Sequence, residues 1–199
     1  MYTIAVVEHE QLFLTCSSLQ EFSDMLRVRV FLEHDEHKKA FNLLEVYLKK
    51  GRPEAEYLYS KMPNEMEGTV EAHHINYITR SAKKDYPPAL YILGAYYDTG
   101  DYVELNKAKA AFLFKQAALC GHAHSQWIHG EDLLYGRNGI EQNKALGIEY
   151  IKKSADAKFE GALETMASFY QTGKYGFPID PDKANYFKNQ IKDEDSLGY

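Results

Sequence analysis

Apolar residues recur along this chain at helical spacing, in paired segments broken by short turns that contain glycine. Four starts, each with a small residue four places on, run Gly51 to Ala55, Asp85 to Ala89, Gly121 to Ser125 and Lys158 to Ala162. They follow one another at steps of 34, 36 and 37 residues, a period that marks an array of helix-turn-helix units. Aligned, the copies give the first helix two columns of small residues, Ala55, Ala89, Ser125, Ala162 and Ser60, Gly94, Gly130, Ala167. Small residues are needed where helices cross closely. The second helix has an apolar column in Leu44, Ile78, Phe114 and Ile151, with Leu48, Ala82, Ala118 and Ala155 four places on along the same face. A unit of this size cannot bury its own apolar face, so the units must stack. The pattern predicts an all-α fold, an α-α superhelix built from antiparallel helix pairs and winding to the right.

The ends depart from the repeat. Residues 1–37 read as an atypical N-terminal cap. Thr3 to Val7 is rich in β-branched residues and Leu12 to Cys16 alternates, so this stretch fits either a small β-hairpin across Glu8 to Gln11 or one further helix. Ser18 followed by Glu21 forms a capping box that opens a helix through Phe22, Leu26, Val30 and Phe31. The array proper is expected over 38–192, ending in a helix over 182–192. Residues 193–199 are expected to be a frayed polar tail.

Ser125 to Ala155 resembles the Sel-one-like repeat (SLR) family, a relative of the tetratricopeptide repeat. Gly130, Gly136, Gly139-Ile140, Asn143-Lys144-Ala145 and Ser154-Ala155 sit where that family places its small residues, its glycine-containing loop and its lysine-alanine pair. The copy at Ala89 matches through Leu93-Gly94, Tyr97, Gly100, Lys107-Ala108 and Ala117 to Gly121, and the copy at Ala162 through Tyr170, Gly173 and Lys183-Ala184. The copy at Ala55 is degenerate. The resemblance implies a non-enzymatic adaptor or scaffold that binds protein, and in bacteria an immunity protein that neutralises a secreted toxin. The alternative it carries is a hydrolase, since disulfide-rich relatives have been linked to β-lactam binding.

Composition narrows these choices. A net charge of -6 argues against a grip on nucleic acid or on an anionic membrane, and favours a basic protein partner. Two cysteines, Cys16 and Cys120, are too few to staple each unit, and no signal-peptide pattern opens the chain. The expectation is therefore a reducing, cytoplasmic setting. His122, His124 and His129, near Glu131 and Asp132, lack the i, i+4 spacing of a zinc helix. No metal and no cofactor are expected, and neither is a catalytic residue, because no glycine-rich phosphate loop or nucleophile motif occurs. His73-His74, at a helix start, is expected to be solvated.

One constellation points to a working surface. At 100° per residue, the columns beginning at Ala55, Leu58, Tyr59 and Pro63 lie on one side of the first helix, and the other side holds Tyr57 and Lys61, Tyr91 and Asp98, Trp127, Glu131 and Leu134, Glu164 and Gln171. In tetratricopeptide-like solenoids this helix lines the concave surface. The resemblance therefore implies a partner-binding ladder of Tyr57, Tyr91 and Trp127, with Lys61, Asp98, Glu131, Glu164 and Gln171 beside it. Aromatic anchors among polar residues suit a protein interface.

Overall fold

The computed structural model describes residues 17–63 and 70–195, with the side chains of Val70 and of 192–195 left out. The hairpin-or-helix alternative for the first residues lies outside this range. Among the described residues ten α-helices follow one another: α1 (Leu19–Glu33), α2 (His37–Lys49), α3 (Pro53–Ser60), α4 (Val70–Ala82), α5 (Pro87–Thr99), α6 (Lys107–Leu119), α7 (Ala123–Tyr135), α8 (Lys144–Asp156), α9 (Glu160–Thr172) and α10 (Pro181–Asp195). Each packs against the next, making an all-α solenoid of helix pairs with no strand among the described residues. The last helix begins at Pro181 and runs to Asp195, so part of the expected tail is helical.

The turns explain the repeat's starting column. Gly51, Asp85, Gly121 and Lys158 all have a left-handed backbone, with φ of 65°, 58°, 85° and 63°, and Asp35 does the same between α1 and α2. That conformation ends one helix and redirects the chain into the next, which is why glycine or aspartate is favoured there. Within each of the three later pairs, the residue that caps the second helix is also tied to the first. The N–H of Asn106, Asn143 and Asp180 donates to the carbonyls of Tyr97, Leu133 and Tyr170 at 2.7, 2.8 and 2.9 Å. Their side chains accept from the N–H of Lys109, Leu146 and Lys183 at 2.9, 3.1 and 3.0 Å.

Glycine sets the closest crossing. A Cβ on Gly147 of α8 would lie 2.7 Å from the Gly130 carbonyl oxygen and 2.9 Å from the Leu134 nitrogen, so α7 and α8 meet backbone to backbone. Leu134, expected on the open face, is completely buried at this crossing. Pro63, expected in a core column, is exposed.

The N-terminal third holds buried charge that the apolar pattern does not announce. The Arg52 guanidinium donates to Glu21 at 2.6 Å and Glu54 at 3.0 Å, while Arg80 and Lys84 hold Glu56 at 2.7 and 2.6 Å. Ser18 caps α1 at the Glu21 N–H, but Glu21 accepts from the Ser17 N–H at 2.8 Å and turns its other oxygen to Arg52. Burial raises the Glu54 carboxyl, with Arg52 opposing it. His73 is buried, not solvated, and its Nε2–H donates to the Tyr59 carbonyl at 3.0 Å. His74 is half-buried and its Nδ1–H reaches the Ser60 carbonyl at 2.9 Å. The two imidazoles satisfy carbonyls at the end of α3 that have no partner within the helix.

Candidate partner-binding face

The expected ladder exists, but its rungs are linked from repeat to repeat. The residue at the N-cap of each later first helix is a ring: Tyr86 before α5, His122 before α7 and Phe159 before α9. Each covers the aromatic residue of the preceding unit. Tyr86 sits 5.3 Å from Tyr57, His122 is stacked at 4.7 Å on Tyr91, and Phe159 lies 5.6 Å from Trp127. His124 joins the upper rungs, 4.7 Å from Tyr91 and stacked at 4.3 Å on Phe159. A continuous aromatic band therefore runs from α5 to α9. The covering column was missed in the sequence, where its signal is a ring one place after the left-handed residue in three of the four copies.

The rungs differ in how open they are. Tyr57 is only 4% exposed, so the structure corrects its placement on an open groove: it belongs to the core, under Tyr86. Exposed Lys61 lies with its Nζ 4.5 Å from the Tyr57 ring centre. Tyr91 and Trp127 are half-buried rather than solvent-facing. The Trp127 indole N–H donates to Thr165 Oγ1 at 3.1 Å, and that hydroxyl donates in turn to the Gly161 carbonyl at 2.7 Å. Gly161 keeps α9 close to the indole, since a Cβ there would lie 3.2 Å from Trp127 Cε2. The column ends in Glu164, which is exposed and has no following unit among the described residues to cover it.

The remaining predicted residues are spread along the same helices. Asp98 forms an ion pair with Lys107 at 2.8 Å at the end of α5. Glu131 is half-buried on α7, and burial raises its carboxyl above the usual range, with Arg137 opposing this. Glu164 and Gln171 line an open depression of about 390 Å³ with Ala167, Ser168, Lys188 and Ile191, and Lys188 Nζ donates to Gln171 at 3.2 Å. The structure thus joins Tyr91 with Trp127, and Glu164 with Gln171. It does not bring Asp98 or Lys61 into contact with either pair.

The histidines are structural in their surroundings. His122 Nδ1 accepts from the Ser125 N–H at 3.3 Å, capping α7, and burial pushes His122 down to about 3. Burial also lowers His124, and it takes His129 to about 4, beneath the edge of Tyr150 at 5.0 Å. Among the described residues no group of three or more histidine, cysteine or acidic side chains is placed to hold a metal ion. No described helix is long and apolar enough to cross a membrane.

Helix pairs joined by left-handed turns and stacked through a repeated aromatic column define an α-helical repeat protein. From Pro87 onward the chain belongs to the Sel1 repeat family, whose model matches residues 87–122, 123–159 and 163–187. The unit at Gly51 falls outside those matches. Among solved structures, a Sel1 repeat protein from Oxalobacter formigenes superposes with a TM-score of 0.67 at 19% identity, over 86% of this chain and 68% of that one. A protective antigen of uropathogenic Escherichia coli strains that displays an SLR fold superposes with a TM-score of 0.62 at 24% identity, over 78% of this chain. The chain spans about a third of that antigen's length, 33%. Both likenesses concern the fold. Sel1 repeat proteins are generally protein-interaction scaffolds.

Proposed function

We propose that this chain is a non-enzymatic protein-binding module of the cytoplasm, an adaptor or a toxin-neutralising immunity protein, whose first-helix face holds a basic segment of its partner. The observation that carries the reading is the band from Tyr91 to Phe159. Its rings are fixed by stacking yet Tyr91 and Trp127 stay partly open. Rigid aromatic anchors lose little conformational freedom on binding, which is why such residues dominate interface energetics. Glu131 and Glu164 lie along the same helices and add acidic character, Gln171 and Asp98 offer polar contacts at the rim, and Lys61 marks the N-terminal end. Buried Tyr57 takes no part. The exposed Cys120 thiol suits a reducing compartment.

The test is capture from a lysate of the source cells by the full chain, repeated with Tyr91→Ala and with Glu131→Lys. One protein with a basic surface should be retained by the wild type and lost from both variants, and raised salt should weaken the complex. Retention of the same proteins by all three forms would refute the proposal.

A further inference from the structure

A second surface lies on the other side of the array. Helix α6 buries Ala110, Leu113, Phe114 and Ala117 against its neighbours. Its opposite side holds Ala108, Phe112, Lys115 and Leu119, which fall within about 60° of one another at 100° per residue. All four are exposed, and Phe112 and Leu119 are each 59% open. Phe112 lies about 160° around the helix from Phe114, the residue that faces Tyr91. The stripe therefore points away from the aromatic band.

The other repeats show what normally fills these slots. The place of Phe112 is taken by Asn42, Asn76 and Glu149, and that of Leu119 by Lys49, Lys83 and Asp156, all of them exposed, while in α10 the place of Phe112 is taken by the exposed ring of Tyr186. Among the described second helices, α6 alone sets two large apolar side chains two turns apart on this stripe, whereas α10 carries a single one, Tyr186. The charge of α6 is one-sided as well, with Lys107, Lys109 and Lys115 and no carboxylate. Lys107 is engaged by Asp98 and Lys109 by the Tyr97 hydroxyl at 2.6 Å. Lys115, between the two apolar residues, has no ion pair among the described residues. A second copy packed on the same stripe about a two-fold axis would set lysine near lysine at its centre, which like-charge repulsion disfavours.

We propose that the outer face of α6 docks an amphipathic helix of another protein, whose two large apolar side chains, about two turns apart, pack on Phe112 and Leu119 while a carboxylate between them meets Lys115. This partner is acidic where the groove's is basic, and the two surfaces are independent.

The experiment uses the full chain and three labelled synthetic helical peptides, followed by fluorescence anisotropy. One has two leucines two turns apart with glutamates between them, the second has lysines for the glutamates, and the third has alanines for the leucines. The glutamate-leucine peptide should bind at least about tenfold more tightly than either of the others. The double variant Phe112→Asn with Leu119→Lys, built from residues that other repeats carry there, should lose at least about tenfold in affinity while its melting temperature holds. Equal binding of the glutamate and lysine peptides, no binding, or full binding by the double variant would overturn the proposal. So would a wild-type dimer in sedimentation that the double variant dissolves, since the face would then be a self-interface.

Discussion

Trp127→Ala tests whether a rung of the aromatic band belongs to the fold or to the surface. A fully buried large aromatic costs roughly 3–5 kcal/mol on truncation, as transfer and cavity terms combine. Trp127 is half-buried, which scales that loss to about 2 kcal/mol. The indole N–H bond to Thr165 adds at most about 1 kcal/mol. Its loss strands no buried donor, because the Thr165 hydroxyl keeps its own bond to the Gly161 carbonyl. The expected destabilisation is therefore about 2–3 kcal/mol, well above the few tenths typical of a surface site. Urea unfolding followed by circular dichroism measures it, with Trp127→Phe as the control that keeps the ring contact and should lose under about 1 kcal/mol. A loss below about 0.5 kcal/mol would place the ring in solvent, and one above about 4 kcal/mol would place it in the core. Either result would refute the half-open rung on which the binding face depends.

Two further changes probe the frame that holds this face. Gly147→Ala should lower stability by roughly 1–3 kcal/mol through overpacking, although alanine favours helix by about 1 kcal/mol, because the new Cβ meets backbone that cannot rotate away. A urea midpoint at or above that of the wild type would show that α7 and α8 can separate freely. Acid should also weaken the fold. The native pKa values of His122, near 3, and His129, near 4, lie below the ordinary value of 6.5, and His124 is lowered too. The unfolded chain therefore takes up protons first, and these histidines' contribution is full above about 6.5 and declines as pH falls toward the native values. His122→Asn keeps a capping oxygen and should flatten the decline between pH 7 and 4, and an unchanged slope would remove His122 from the account.

The helix pairs from Pro87 onward were legible in the sequence because their signals are local. Left-handed turn residues, asparagine caps and small crossing residues each act within a few positions of where they stand. The face of the first helix was legible only in outline, since periodicity tells which residues share a side but not what a neighbouring repeat lays over them. Tyr57 was placed in the open for this reason, and the Tyr86 ring that covers it comes from the next unit. The buried carboxylates were hidden differently. The apolar pattern does not mark Glu54 and Glu56 as buried, because folding is what sets Arg52, Arg80 and Lys84 against them. His73 and His74 looked polar and free because the carbonyls they satisfy lie fourteen residues back, at the end of α3.

If each rung is covered only by the unit that follows it, removing one cover should expose one ring and leave the others alone. Phe159 is the cover of Trp127, half-buried at the N-cap of α9 with an extended backbone that alanine adopts without strain. Phe159→Ala should open the indole to water on that side, shifting its emission to longer wavelength and raising its quenching by iodide. Thr165 should still hold the indole N–H, so the ring stays in place and the change reports solvent access rather than unfolding. The matched change one unit earlier is His122→Asn, which uncovers Tyr91, keeps the α7 cap and should leave Trp127 emission where it was. His124 links the two rungs, since its ring lies against Tyr91, Phe159 and Trp127 itself, and it offers a path by which the earlier change could reach the indole. Equal shifts from both variants would mean that the band behaves as one coupled layer, and a null result for Phe159→Ala would mean that the ring at 159 does not shield the tryptophan.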